Sequence, residues 1–321
     1  MHYLNKIESG KNISLRYYAG RIVWTVFRWY FLISIAFVIL YPLMYMLTMA
    51  FRSPQDFLDV TVVWIPKHFT FDNFKRVLWD MGLLEPLANT AIISVLSTAC
   101  QILVTAMTGY GFARYQFRGN TFLFILAVVA IMMPTQMINL PNYLVMKNMD
   151  FFGLFQIIAG KPSPINLLNS PLAFIVPAAL GQGFMSGLFI LIFRQFFSNM
   201  PVELEEAATI DGCGHGKLFW LVMLPNAGTA LVICSIFSIT WYWTDYQGPF
   251  IFLTTLRTIA VELMDFNSLA SKVLDQSQQS VHYIMPMQQA ACIVAILPIL
   301  ILFLISQRFF AKSVERSGIV G

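Results

Sequence analysis

Apolar runs of roughly twenty residues, each long enough to cross a hydrocarbon core, alternate along the chain with shorter polar segments. Six stretches have this character: 29–51, 87–112, 121–144, 171–193, 218–244 and 284–307. Each reads as a helix, because lipid offers no water to satisfy free backbone N–H and C=O groups. The pattern therefore predicts an all-α membrane protein with six transmembrane helices. The first run, WYFLISIAFVILYPLMYMLTMAF, follows a basic arm and has no small-residue cleavage site, so it reads as a retained anchor rather than a signal peptide. Proline falls within five of the six runs, at Pro42, Pro134, Pro141, Pro177, Pro225 and Pro298, which predicts kinked helices.

Composition removes the soluble alternative. At 321 residues the chain is long enough for two soluble domains, but it is 58% hydrophobic and 11% charged, with 29 Phe and 17 Met. Its mean hydropathy of +0.68 exceeds what a soluble core can bury. An even number of spans puts both ends on one side of the membrane. Residues 1–28, 113–120, 194–217 and 308–321 hold 12 Lys/Arg against 6 Asp/Glu, whereas the remainder holds 8 and 10. Basic excess marks the cytoplasmic side, so both termini and the loop between spans four and five are expected there. The expected organisation is a cytoplasmic arm at 1–28, a six-span domain at 29–307 with its loop at 194–217, and a cytoplasmic tail at 308–321.

The spans contain no Asp, Glu, Lys, Arg or His. An ion-coupled secondary transporter keeps such groups near the midplane, and a proton relay or intramembrane metal site needs them as well. The polar residues present include Asn89, Gln101, Gln136, Asn139, Asn142, Gln182, Asn226, Gln288 and Gln289. They suit hydrogen bonds between helices, and equally a path for a neutral, hydroxyl-rich solute. The four cysteines and four histidines form no metal or redox spacing, so no metal site and no catalytic residue is expected.

Acidic residues gather instead at 203–214, ELEEAATIDGCG. The glycines that follow do not make a phosphate loop. Counting back from Gly216-Lys217 puts Asp211 where the first glycine is required, and Leu218 follows the lysine where a hydroxyl is needed. The chain is thus expected to bind no nucleotide or other cofactor. Pro201 is placed to open a helix, Glu203, Glu205 and Glu206 lie near its positive end, and Gly212 suits a left-handed stop. A second helix is expected from Lys217 to Leu224. Ala207, Ala208 and Ile210 offer a small surface to a partner's groove. The physics alone leaves a docking knob and an ordinary polar loop equally open.

The run Glu206-Ala207-Ala208, Asp211-Gly212, Phe219 and Leu224-Pro225 resembles the E-A-A-x-x-D-G loop of membrane subunits in binding-protein-dependent ABC importers. The likeness is greatest to the maltose-type carbohydrate permeases. It extends through FTFDNFKRVL (69–78), GYGFARYQFRGN (109–120), MMPTQMINLPNYL (132–144) and SQRFFAKSVERSGIVG (306–321). Cys213, Thr229 and Thr244 depart from the family pattern, and 156–166 looks inserted.

The resemblance implies a permease subunit, not an enzyme, in a bacterial cytoplasmic (inner) membrane. Its implied partners are a second permease, an ABC ATPase dimer that uses ATP and Mg, and an extracytoplasmic solute-binding protein, with no nucleic acid. Glu203, Glu206, Ala207, Ala208, Asp211 and Gly212 would then be the contact with the ATPases. The outer segment 245–283 would face the binding protein. An amino-acid-type ABC permease shares the loop but lacks this tail and these outer segments. At the outer end of span five, TWYWTDYQGPF (240–250) fits an interfacial aromatic belt, the commoner use. It also fits a minor substrate-lining role in which Trp241, Tyr242, Trp243 and Tyr246 stack on sugar rings and Asp245 accepts their hydroxyls.

Overall fold

A computed structural model describes residues 2–150, 157, 164–275 and 279–317, and their side chains except at 2–17, 19, 135, 136 and 308–317. Most of 156–166, the inserted stretch, lies outside the described residues. The chain divides into two compact units, residues 1–74 with 280–293, and residues 75–279 with 294–321. Among the described residues the structure is helical. Its only bridges are isolated pairs at Arg52–Phe69 and Met149–Ile165.

In the first unit, helix α1 runs unbroken over His2–Ala50, so the segment read as an arm at 1–28 continues into the first span. Its most apolar window, within Gly20–Ala50, buries nothing inside the chain. Lipid tails are as apolar as leucine, so such a face is stable without protein cover. Beyond α1, Phe51 stacks on Phe69 at 4.6 Å between ring centroids, with Phe71 and Phe74 alongside. The Asn73 amide donates to the carbonyls of Ala50 and Arg52, tying this segment to the end of the helix. Short helical turns lie at Pro54–Leu58 and Asp72–Lys75.

The second unit is organised by α2, Leu84–Arg114. Around it pack α5 (Leu172–Ala179), α6 (Ser186–Ser198) and α9 (Gly228–Thr244). Much of the buried face of α2 is polar: Thr90, Ser94, Ser97, Thr98, Gln101 and Thr105 recur at helical spacing, all at most 4% exposed, beside the buried Ile93, Ile102 and Tyr110. Gln101 joins three helices. Its amide donates to Ser186 Oγ at 3.0 Å, and its carbonyl oxygen accepts from Ser238 Oγ at 2.9 Å, which in turn meets Thr98 Oγ1 at 2.9 Å. Gln101 therefore serves helix packing. Gly109 lets α2 and α6 touch: a Cβ there would lie 2.6 Å from Phe193 Cβ and 2.9 Å from the Arg194 backbone nitrogen.

Only three helices among the described residues are long and apolar enough to span a membrane: Gly20–Ala50, Leu84–Arg114 and Val281–Gln307, the last within α11 (Val281–Ser317). The other expected spans are broken. Span three comprises α3 (Asn120–Val129), a 3-10 turn, and α4 (Thr135–Lys147), with a bend of 107° between Asn120–Met132 and Met137–Lys147. Pro134 sits at the bend, where the missing N–H and the restricted preceding residue favour a corner. Span four is split into α5 and α6 at Gly181–Gly183, with Met185 at φ +51° entering α6. Span five turns by 78° between His215–Asn226 and Gly228–Thr244. A π-turn over Phe219–Met223 directly precedes Pro225, where the hydrogen-bond ladder must change register. Counting each bent pair as one, the described residues hold up to five spans.

Candidate functional site

The acidic stretch folds as a knob at one end of α2. Helix α7 spans Glu203–Ile210 with Val202 as N-cap, so Pro201 lies just before the helix rather than in its first turn. Gly212 stops it at φ +80°. The amide of Cys213 donates to Ala208 O, and that of Gly212 to Thr209 O, both at 3.0 Å. These two bonds form a Schellman cap, and the left-handed residue it requires is the glycine. After the corner, α8 (His215–Leu218) starts two residues earlier than expected and runs on through the π-turn to Asn226.

The knob is held by its own chain. Arg114, the last residue of α2, donates through Nη2 to Met200 O at 2.6 Å and places Nε 2.9 Å from Glu205 Oε1. That ion pair is close in distance but not aligned as a hydrogen bond. Ala208 is 8% exposed and packs in a cluster with Tyr110, Phe197, Leu218 and Phe219. This corrects the sequence reading, which gave Ala208 to a partner's groove; the helix turns it onto the chain's own core. What remains outward is Glu203, Glu206, Ala207, Asp211 and Gly212, with Ile210 at 86% exposed. Sequence reasoning placed Ile210 on the partner-facing surface but left Arg114 unremarked. The signal for Arg114 was a basic residue in the last turn of a helix, where the dipole favours it.

A second feature is a cavity of about 460 Å3 among α4, α5, the start of α6 and α10 (Gln247–Phe252). Tyr242 and Asp245, at the end of α9, line it. Asp245 Oδ1 accepts from the backbone amides of Gln247 at 3.1 Å and Gly248 at 3.3 Å, while Oδ2 is buried without a partner. The Tyr242 hydroxyl is likewise buried, beside the backbone amide of Phe184.

The neighbouring aromatics go elsewhere. Trp241 stacks on Phe189 at 5.5 Å, and Trp243 Nε1 donates to Ala295 O at 2.9 Å. Neither they nor Tyr246 line the cavity, so the structure divides the four candidates Trp241, Tyr242, Trp243 and Asp245 into two packing residues and two cavity residues. Asn139, Asn142 and Gln182 from the expected polar set do line it.

The family of binding-protein-dependent transport system inner membrane components matches residues 101–316. The chain belongs to that family. It is a multi-pass membrane permease component, and neither an enzyme family nor an ion-coupled carrier fits this assignment. Over 292 residues it is 27% identical to the arabinooligosaccharides transport system permease protein AraQ of Halalkalibacterium halodurans, covering 89% of this chain and 93% of that one. It is also 27% identical over 296 residues to the maltodextrin transport system permease protein MdxG of Bacillus subtilis, covering 91% and 94%. The fold is shared with a chain from the crystal structure of a bacterial ABC transporter involved in the import of the acidic polysaccharide alginate. That likeness has a TM-score of 0.73 at 18% identity and covers 90% of this chain and 96% of the other. These relatives are carbohydrate transporters by name, and an amino-acid permease finds no support among them.

Proposed function

We propose that this permease forms, with a second permease, the translocation path for a sugar or oligosaccharide delivered by an extracytoplasmic binding protein. The observation that carries the carbohydrate reading is the similarity, over about nine-tenths of the chain, to permeases named for arabino-oligosaccharides and maltodextrin. The path has six spans, the two halves of span four being read as one broken crossing, and both termini are cytoplasmic. Domain limits follow the sequence reading: 29–307 in the membrane and 308–321 as a tail. The knob carrying Glu203, Glu206, Ala207, Asp211 and Gly212 is the contact with an ABC ATPase dimer, with Ala208 supporting it from below. ATP and Mg belong to those ATPases, and this chain holds no cofactor.

The test is transport by the assembled importer in proteoliposomes with ATP inside and binding protein outside. Uptake of a labelled neutral oligosaccharide, from a panel including maltotriose and arabinotriose, is the expected result. Uptake of amino acids instead, or uptake driven by an ion gradient without ATP, refutes the reading.

Topology has its own check. Residues 245–283 are proposed to face outward and to meet the binding protein, and Ser268 lies within them on the helix Phe266–Val273, while Ser277 lies outside the described residues. With the four native cysteines replaced, Ser268→Cys should react with an impermeant maleimide added outside intact cells. Labelling only after the cytoplasmic side is opened would invert the orientation.

A further inference from the structure

The last turn of α2 touches both helices of the knob. On one side Arg114 donates through Nη2 to Met200 O at 2.6 Å, just beyond the end of α6, and its Nε lies 2.9 Å from Glu205 Oε1 in the first turn of α7. On the other, Tyr110 packs on Phe219 at 5.4 Å between ring centroids, and Tyr115 meets the His215 ring of α8 edge-on at 5.7 Å. The Arg114 and Glu205 side chains are 12% and 18% exposed, so salt and water screen the pair little.

This same helix is the one on which the rest of the second unit is packed. It runs without a break from Leu84 to Arg114. Gln101 lies about 20 Å along it from Arg114, at about 1.5 Å per residue. There the Gln101 amide reaches Ser186 of α6, and its carbonyl oxygen accepts from Ser238 of α9. A displacement of α2 at Arg114 is therefore delivered to the seam where α2, α6 and α9 meet. Apolar contacts are non-directional and let one element slide on another. A guanidinium held between a carbonyl and a carboxylate instead sets register and angle.

We propose that Arg114 is a positioning residue that locks α2 to the knob, so that a displacement of the knob by the ATPases is carried into the α2 seam and becomes solute movement. The inference rests on the reading of the knob as the ATPase contact, and it adds the residue through which that contact acts on the membrane helices. Arg114 touches neither solute nor nucleotide in this role; it acts through Glu205 and Met200. Its loss leaves the ATPases bound and hydrolysing while uptake fails to follow. Loss of the docking face at Ile210 releases them.

The test uses the assembled importer in proteoliposomes with ATP inside, binding protein outside, and maltotriose or arabinotriose as solute. Arg114→Gln and Glu205→Gln should each lower uptake per ATP hydrolysed about tenfold, within the range of about 5–150-fold usual for coupled sites. ATPase retention on the permease pair should not change. The double variant should be no worse than either single one, because the two residues act as one pair. A readout independent of the solute is the distance between spin labels at Met107→Cys on α2 and Leu204→Cys on α7, both exposed positions, with the native cysteines replaced. Without further substitution it should be the same in the absence of nucleotide and with ATP and vanadate. With Arg114→Gln it should shift or broaden once the ATPases close. Glu205→Gln keeps the size of the side chain and carries the test if Arg114→Gln does not fold. Unchanged uptake per ATP, or an unmoved distance, in the variants overturns the inference. So does a distance that changes with nucleotide when Arg114 is present, a loss of ATPase retention in step with uptake, or a double variant that sums the single effects. If neither sugar is carried, the carbohydrate reading falls and the distances alone decide this inference. If Ile210→Glu retains the ATPases, the docking reading falls and this inference with it. If Ile210→Glu releases them while Arg114→Gln stays fully coupled, this inference alone falls.

Discussion

Ile210→Glu and Gly212→Val should each abolish solute uptake while the chain still enters the membrane and pairs with its partner permease. Ile210 ends α7 at 86% exposure, on the side of the knob not packed against the chain itself. A large apolar side chain held that far out by a rigid cap is suited to be the anchor of a docking contact, and such anchors carry most of an interface's energy. Glutamate there replaces an apolar contact with a charge that docking would have to desolvate.

Gly212 acts differently. Its φ is +80°, and a Cβ added there would have no atom within 4 Å, so valine would meet no neighbour. The cost is conformational, about 1–2 kcal/mol for a left-handed L residue and more for a β-branched one. It falls on the corner that sets the angle between α7 and α8. Retention of the ATPases on the purified permease pair is the direct measurement, with uptake as the functional readout. Ala208→Trp should behave otherwise: it overfills the chain's own cluster and lowers the yield of folded protein. Wild-type ATPase retention in both the Ile210 and Gly212 variants would make the stretch an ordinary loop.

Gly109→Val is expected to force α2 and α6 apart where they cross. The added atoms would fall 2.6 Å from Phe193 Cβ, 2.9 Å from Arg194 N and 3.1 Å from Ile190 O. Two of the three are backbone atoms of α6, so a rotamer change cannot relieve the clash, and the helices must separate. Phe193 is fully buried at that crossing and would lose its contacts as they part. Overpacking a close-packed core costs about 1–3 kcal/mol, with more where backbone must move. At roughly 2–4 °C per kcal/mol for large domains, the thermal midpoint in detergent should fall by several degrees. Gly111→Val is the matched control, because nothing lies within 4 Å of its Cβ position. Equal midpoints for the two variants would show that α2 and α6 do not need the close approach.

Local summation made the spans at 29–51, 87–112 and 284–307 legible, since hydropathy over twenty residues needs no knowledge of neighbours. The stop at Gly212 was legible for a similar reason: few residues other than glycine adopt the left-handed conformation a Schellman cap demands. The breaks in spans three to five were signalled only as prolines and glycines. Pro134 removes a donor and crowds its neighbour, which permits a corner, but the 107° bend between Asn120–Met132 and Met137–Lys147 depends on what the two arms pack against.

The same limit governed the candidate residues. Successive residues on a helix differ by about 100° in direction, so Trp241, Tyr242 and Trp243 point to different sides of α9. Sequence grouped them as aromatics, and tertiary packing sent Trp241 to Phe189, Trp243 to Ala295 and Tyr242 to the cavity. Ala208 shows it once more: small size was readable, its burial was not. By itself the sequence determined that this chain is helical and membrane-embedded, because those properties follow from side-chain solvation and local backbone preference, while the E-A-A loop was legible only through its resemblance to a family motif. Only the tertiary structure decided which face of each helix meets protein and which residues line a cavity, because those depend on how distant segments pack and turn each helix about its axis.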